Sequence, residues 1–423
     1  MFRFVAALVA ATSCVAIAHA QQAGVVSRPI SEPLLTLDDA IALATGSAPA
    51  AEAATAEVDS AEAGRRVAGL RPNPALLVEV ENFVGTGPYS GVNGADVTAS
   101  LAIPLELGGK RRARIAVADA EARRALLART IVQADIRLQV TELYIQATAA
   151  RIRFAIAEDQ FRIASDTARA ATVRVQAGRA SPLEQERAEV ARLNAEVDVD
   201  RTRRLADAAR ANLARRVGRP ITGPLDVSIL GGPTSGTVGP PRPASSAGTL
   251  ALAAAEAELA TADAGVQLAR SQRAPDLAVG PGVRRIEATN DVAAVFSISM
   301  PLPLFNHGRA AVDQASARRR RADAQRRMTA LDVEQQIGDA EVEVHNAAAA
   351  ARVASGPALS AAMEAARIAR IGYREGKFGQ LELLDAERTL IETRSASIEA
   401  LASYQLARAR LERLTAPAPI EGN

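Results

Sequence analysis

The chain has 423 residues, 23% of them charged, yet a net charge of only +2, with arginine supplying almost all the positive side. It has no Trp, 3% aromatic residues and one cysteine, which argues against a large core anchored on rings and against a disulfide framework. Acidic and basic residues are interleaved throughout, the pattern of solvated helix faces rather than of a nucleic-acid surface.

Residues 1–20 read as an export signal. Arg3 gives a short basic start, Val5 to Ile17 an apolar stretch, and Ala18-His19-Ala20 a small-x-small cleavage pattern. The apolar run is too short for a membrane anchor, which needs roughly 20 residues. A lipidated Cys14 is the rival reading, but Ala11-Thr12-Ser13 is a poor lipoprotein signal. Beyond the signal no stretch is apolar enough to span a membrane as a helix.

The mature chain then divides into a first repeat (21–217), a Pro/Gly/Ser-rich linker or belt (218–248), a second repeat (249–416) and a tail (417–423). Leu37 to Gly69 is expected as one helix, with Thr36 as N-cap and Asp38 and Asp39 suiting its positive end. Strands follow at about 75–83 and 96–105, separated by the turn chemistry of Gly85 to Gly94. From Gly109 to Gly178 the chain reads as one helix, roughly 100 Å long at 1.5 Å per residue. It closes on Gly178-Arg179-Ala180-Ser181-Pro182-Leu183-Glu184, a helix–turn–helix signal.

The second repeat follows the same order. Leu250 to Gln272 is expected as a helix, with strands at about 275–286 and 291–300. A second long helix should run from Gly308 to Gly376, interrupted at Pro357, and end on Gly376-Lys377-Phe378-Gly379-Gln380-Leu381-Glu382. The chain is therefore a duplicated strand–strand–long helix–turn–helix unit, mainly α with a small β part. Two heptad registers, one with Ile131, Leu138, Ile145 and Ile152 and one with Ile136, Leu143, Ala150 and Ala157, suit helices packed on both sides, like staves of a tube.

Each strand has the length of a tilted membrane-crossing strand, and alternation would give it one lipid face and one aqueous face. Four strands cannot close a barrel, and open edges are not tolerated in lipid. Membrane strands in this chain would need other copies to complete them; a small soluble sheet packed on helices is the alternative.

Catalytic apparatus is not in sight. The mature chain keeps only His307 and His345, with no HExxH, CxxC, P-loop or Gly-x-Ser-x-Gly pattern, so no catalytic, cofactor or metal residue is assigned and an enzyme is not expected. Glu382 and Asp385, three apart on one helix face, would form carboxylate rings in a rotationally symmetric tube and favour cations. An ordinary solvated face fits the same spacing equally well.

The export signal, the duplicated unit and the paired tip turns resemble the TolC-like outer-membrane efflux proteins. Arg71-Pro72-Asn73-Pro74, Val78 to Phe83 and Ile103 to Arg111 are most similar to the CzcC-type branch of cobalt–zinc–cadmium resistance systems. The resemblance implies a homotrimer, with a twelve-stranded barrel in outer-membrane lipid continuous with an α-helical tube through the periplasm. It also implies docking on a periplasmic adaptor coupled to an inner-membrane RND-type pump, in a passive duct exporting heavy-metal cations.

The tip motif of that family falls on Gly178, Ser181, Leu183, Glu184 and Glu189 in the first repeat and on Gly376, Glu382, Leu383, Leu384, Asp385, Ala386 and Glu387 in the second. The expected adaptor-docking residues are Gly178, Ser181, Leu183, Glu184, Gly376, Gln380 and Leu381, with Glu382 and Asp385 as the pore constriction. Gly379 stands where the family usually has serine. A periplasmic coiled-coil adaptor or scaffold is the competing class, and a drug or solvent duct the competing substrate.

Overall fold

The computed structural model describes residues 34–233 and 245–419. The export signal, with Cys14, and part of the Pro/Gly/Ser-rich stretch lie outside the described residues.

The first helical stretch is two helices rather than one. In α1 (Leu37–Ser47) Thr36 and Asp39 form a reciprocal capping box. The helix then stops at Ala48, which takes an extended conformation (φ −74°, ψ 124°) before Pro49 opens α2 (Pro49–Ala68). The proline ring disfavours helical backbone in the residue before it and supplies no N–H to the preceding turn. Pro49 at a first helical position needs no N–H partner.

The two repeats then proceed in parallel. Strands β1 (Ala75–Glu81) and β2 (Asp96–Leu105) lead into α3 (Lys110–Gln176) and α4 (Pro182–Val217). Helix α5 (Leu250–Ser271) leads into β3 (Leu277–Ile286), β4 (Asp291–Ser299) and α6 (Arg309–Val353). The second long helix is interrupted by one π turn over Ala354–Ala358, which contains Pro357, and resumes as α7 (Leu359–Arg374) before α8 (Gln380–Leu414). The wider turn absorbs the missing proline N–H without ending the rod. At 67 residues α3 is about 100 Å long.

Strands pair in the order β1-β2-β3-β4, antiparallel throughout, so β1 and β4 are open edges. Beyond the sheet, α3 packs against α2 and α5 near its start and against α4 and α8 further along. Contacts on both flanks explain the double register of α3, where Ile136 and Ile145 are both buried.

Residues 219–233 are packed on the helices midway along the rod. Leu225 bridges Leu35, a 3₁₀ turn covers Val227–Leu230, and Leu230 is buried. The start of the tail is also tied down, since Ala418 donates its N–H to the Gly248 carbonyl at 2.8 Å. The largest buried side chain here is Tyr144 on α3, packed with Leu35, Ile136, Val140 and Leu213. Its hydroxyl donates to the Leu35 carbonyl at 2.7 Å and accepts the Asp226 N–H at 2.8 Å. Burial pushes the phenol up to about 12, so it stays a donor. Most other core positions are alanine, which lets helices approach closely.

Candidate functional site

Two places on the rod gather the residues singled out in the sequence: the helical tip opposite the sheet and the faces of the sheet itself.

At the tip, α3 and α7 end in the same way. Gly178 and Gly376 take left-handed conformations (φ 65° and 73°). In each, the N–H one residue on reaches back five positions: Arg179 to the Arg174 carbonyl and Lys377 to the Gly372 carbonyl, both at 2.8 Å. This Schellman closure satisfies carbonyls that a helix end leaves free and turns the chain back within a few residues. The restarts differ. Ser181 caps α4 by accepting the Leu183 N–H at 3.2 Å, whereas α8 begins at Gly379 with no side-chain cap. A Cβ on Gly379 would sit 2.8 Å from a carboxylate oxygen of Glu382, so that carboxylate occupies the space beside the helix start.

Gln380 joins the two tips. It is buried, and its Nε2 donates to the Glu184 carbonyl at 2.7 Å. Beside it the Arg174 guanidinium lies 4.8 Å from the centre of the Tyr373 ring, a cation–π contact between the hairpins. The structure thus brings Glu184 and Gln380 together, while Leu183 and Leu381 point outward, 56% and 65% exposed. Glu382 and Asp385 are exposed on the first turns of α8. Buried Leu383 and Leu390 fix the opposite side of that helix.

Sequence reasoning missed what holds the second hairpin together. Arg370 on α7 makes a two-pronged ion pair with Glu387 on α8, one prong at 2.7 Å. Phe378 lies so close to Gly372 that any Cβ there would collide with its ring. Glu387 carried a readable signal: it falls four residues after Leu383 and three before Leu390, inside the apolar seam.

The sheet register sorts side chains cleanly. Residues directly opposite share a face, so Leu76, Val78 and Val80 of β1 stand with Leu101, Ala99 and Val97 of β2. Val279, Pro281 and Val283 continue that face to Ile298, Phe296 and Ala294. Leu76, Phe296 and Ile298 are 72%, 66% and 66% exposed, so none of the described residues covers it. The other face carries Glu79, Glu81, Thr98 and Arg284, with Arg284 paired to Glu81 at 2.9 Å and bonded to Thr98 at 2.8 Å. Among the described residues there is no cluster of three metal-ligating side chains, and no helix long and apolar enough to cross a membrane.

Comparison with known proteins covers the same two repeats. The family described as outer membrane efflux protein matches residues 40–219 and 245–416. The cobalt-zinc-cadmium resistance protein CzcC of Cupriavidus metallidurans is 31% identical over 90% of each chain. The nickel and cobalt resistance protein CnrC of the same organism is 30% identical over 67% of this chain and 68% of its own. Among solved structures, CusC superposes with a TM-score of 0.73 over 90% of this chain and 92% of its own, at 20% identity. VceC of Vibrio cholerae superposes at 0.72 over 90% and 96%, with 19% identity. Both repeats are matched and nine-tenths of a curated relative aligns, so the chain belongs to the outer membrane efflux protein family and to the outer membrane.

Proposed function

We propose that three copies of this chain form a passive exit duct for heavy-metal cations, the outer-membrane part of a tripartite RND-type efflux system. The observation that carries the reading is the sheet. It has four strands, two open edges, one face that is apolar apart from Arg285 at its end, and one polar face. In lipid such edges must be paired, and three copies joined β4 to β1 would close a twelve-stranded barrel with the Glu79–Arg284 face inward. The helical hairpins would extend it as a tube through the periplasm, with Gly178, Ser181, Leu183, Glu184, Gly376, Gln380 and Leu381 meeting the adaptor. The outward-pointing Leu183 and Leu381 fit a docking role. Glu382 and Asp385 would ring the tip and draw cations toward the bore. Similarity to cobalt-zinc-cadmium and nickel-cobalt resistance proteins supports metal cations as cargo. Among the described residues no side-chain constellation supports catalysis, and transport is the activity proposed.

The test combines assembly and transport. The purified full-length protein should have the mass of a trimer in detergent and conduct in planar bilayers. Deleting its gene, in a strain with its cognate pump, should lower tolerance to cobalt, zinc or cadmium. A monomer recovered from the soluble periplasm would sink the duct. Unchanged metal tolerance with a functional pore would leave the duct and remove the cargo.

A further inference from the structure

Four chain crossings join the sheet to the helices, and they lie in one layer. Arg111 donates to the Gly69 carbonyl at 2.6 Å and Arg114 to the Leu70 carbonyl at 3.1 Å, tying the first crossing to the second. The Leu107 N–H meets Asp276 at 3.1 Å, which ties in the third, and Arg273 reaches the His307 carbonyl at 3.3 Å, which ties in the fourth.

This layer is strongly basic. Its carboxylates Glu106 and Asp276 are already taken, Glu106 by Arg114 and Asp276 by Lys110 at 2.8 Å. Arg71, Arg112 and Arg309, one on each of three crossings, are exposed and paired with no carboxylate among the described residues. The same layer displays large apolar side chains. Leu70, Leu302 and Leu304 are 63%, 68% and 69% exposed, and Phe305 is 99% exposed in a chain with eight phenylalanines. Exposed apolar groups flanked by arginine at the rim of an apolar face describe a surface made for a bilayer interface.

We infer that this layer binds anionic phospholipid in the leaflet facing the helices, with Arg71, Arg112 and Arg309 on the headgroup phosphates and Phe305 among the acyl chains. The inference rests on the outer-membrane duct proposed above. Charge complementarity favours an anionic lipid: unpaired guanidinium groups match phosphate oxygens in two-pronged geometry and hold them more strongly than a neutral headgroup. Continuity favours lipid over a soluble partner, because the layer adjoins the apolar sheet face. The arrangement would fix how deep the barrel sits.

Native mass spectrometry of the full-length detergent-purified trimer, incubated with phosphatidylglycerol or phosphatidylcholine of equal chain length, tests it. The wild-type protein should retain phosphatidylglycerol preferentially, and each arginine removed should cost about fivefold in that preference. The triple variant Arg71→Gln, Arg112→Gln, Arg309→Gln should lose it, while the matching triple lysine variant keeps most of it. Phe305→Ser should weaken both lipids and spare the preference. Equal retention of the two lipids by the wild type overturns the inference. So does a glutamine variant that keeps the preference, or a Phe305→Ser variant whose trimer dissociates, which would give that face to a second copy. Conductance of the same samples separates the two readings: pores without lipid preference remove this inference alone, and a wild type without pores removes the duct.

Discussion

Arg370 and Glu387 clamp the second hairpin: the carboxylate is almost fully buried, at 6% exposure, and receives both prongs of a guanidinium from the opposite helix. The hydrogen bond to Glu387 raises the already high arginine pKa. Arg370 keeps 40% of its side chain exposed, so the pair is partly solvated. Arg370→Ala strands a buried carboxylate and should destabilise the lower hairpin by about 1–3 kcal/mol. The double variant Arg370→Met, Glu387→Leu should be less damaging than either single loss of charge. Limited proteolysis between α7 and α8 reads the difference, and equal protection of Arg370→Ala and wild type would refute the clamp.

Gly178 and Gly376 face open space, so their requirement is conformational rather than steric. A valine at either position would be held in a left-handed conformation costing about 1–2 kcal/mol, and the Schellman turn should loosen. Gly376→Val is expected to reach the outer membrane at normal levels but to lose most metal tolerance and adaptor crosslinking. Wild-type tolerance at equal expression would count against a docking tip.

Glu382 and Asp385 separate a bore from a cap. Glu382 lies in the first turn of α8, where the helix dipole favours a carboxylate by about 0.3–1 kcal/mol, and α8 lacks a side-chain cap. If they ring the bore as well, Glu382→Ala, Asp385→Ala should lose most cation selectivity and most block by divalent cations in planar bilayers. Unaltered selectivity would leave the capping role alone.

Tyr144 should be a stability hinge midway along the rod. Tyr144→Phe removes the hydroxyl shared by the Asp226 N–H and the Leu35 carbonyl, which still bond each other at 3.1 Å, and should cost about 0.5–1.5 kcal/mol. Tyr144→Ala adds a cavity and should cost about 3–5 kcal/mol. Thermal melting of the detergent-purified protein measures both, and a Phe variant as stable as wild type would contradict the network.

Acid should weaken the junction between sheet and helices through Glu106. The hydrogen bond from Arg114 holds its carboxyl below the ordinary value of 4.5. A depressed folded-state pKa gives stability that is present above 4.5 and is lost as pH falls through the folded value. Glu106→Gln should therefore flatten the melting temperature between pH 5 and pH 3, with little effect near neutrality, as melts across that range would show.

Local features of this protein are legible in its residues alone. Glycines at 178 and 376 mark helix ends because a left-handed turn excludes most side chains. Pro357 marks the one interruption of the second rod, and period-two alternation such as Val295 to Met300 sorts a strand into faces. These follow from the chemistry of neighbouring residues. The stop at Ala48 was written in Pro49 as well, but apolar periodicity on both sides concealed it. Tertiary structure alone decided what depends on distant partners. Tyr144 meets the Leu35 carbonyl across 109 positions, and Gln380 meets Glu184 across 196. Arg114, Asp276 and Arg273 gather four crossings into one basic layer. No spacing rule links such residues, because their approach is set by how two 100 Å hairpins lie side by side, and that alignment comes from the summed packing of many alanines rather than from any single motif.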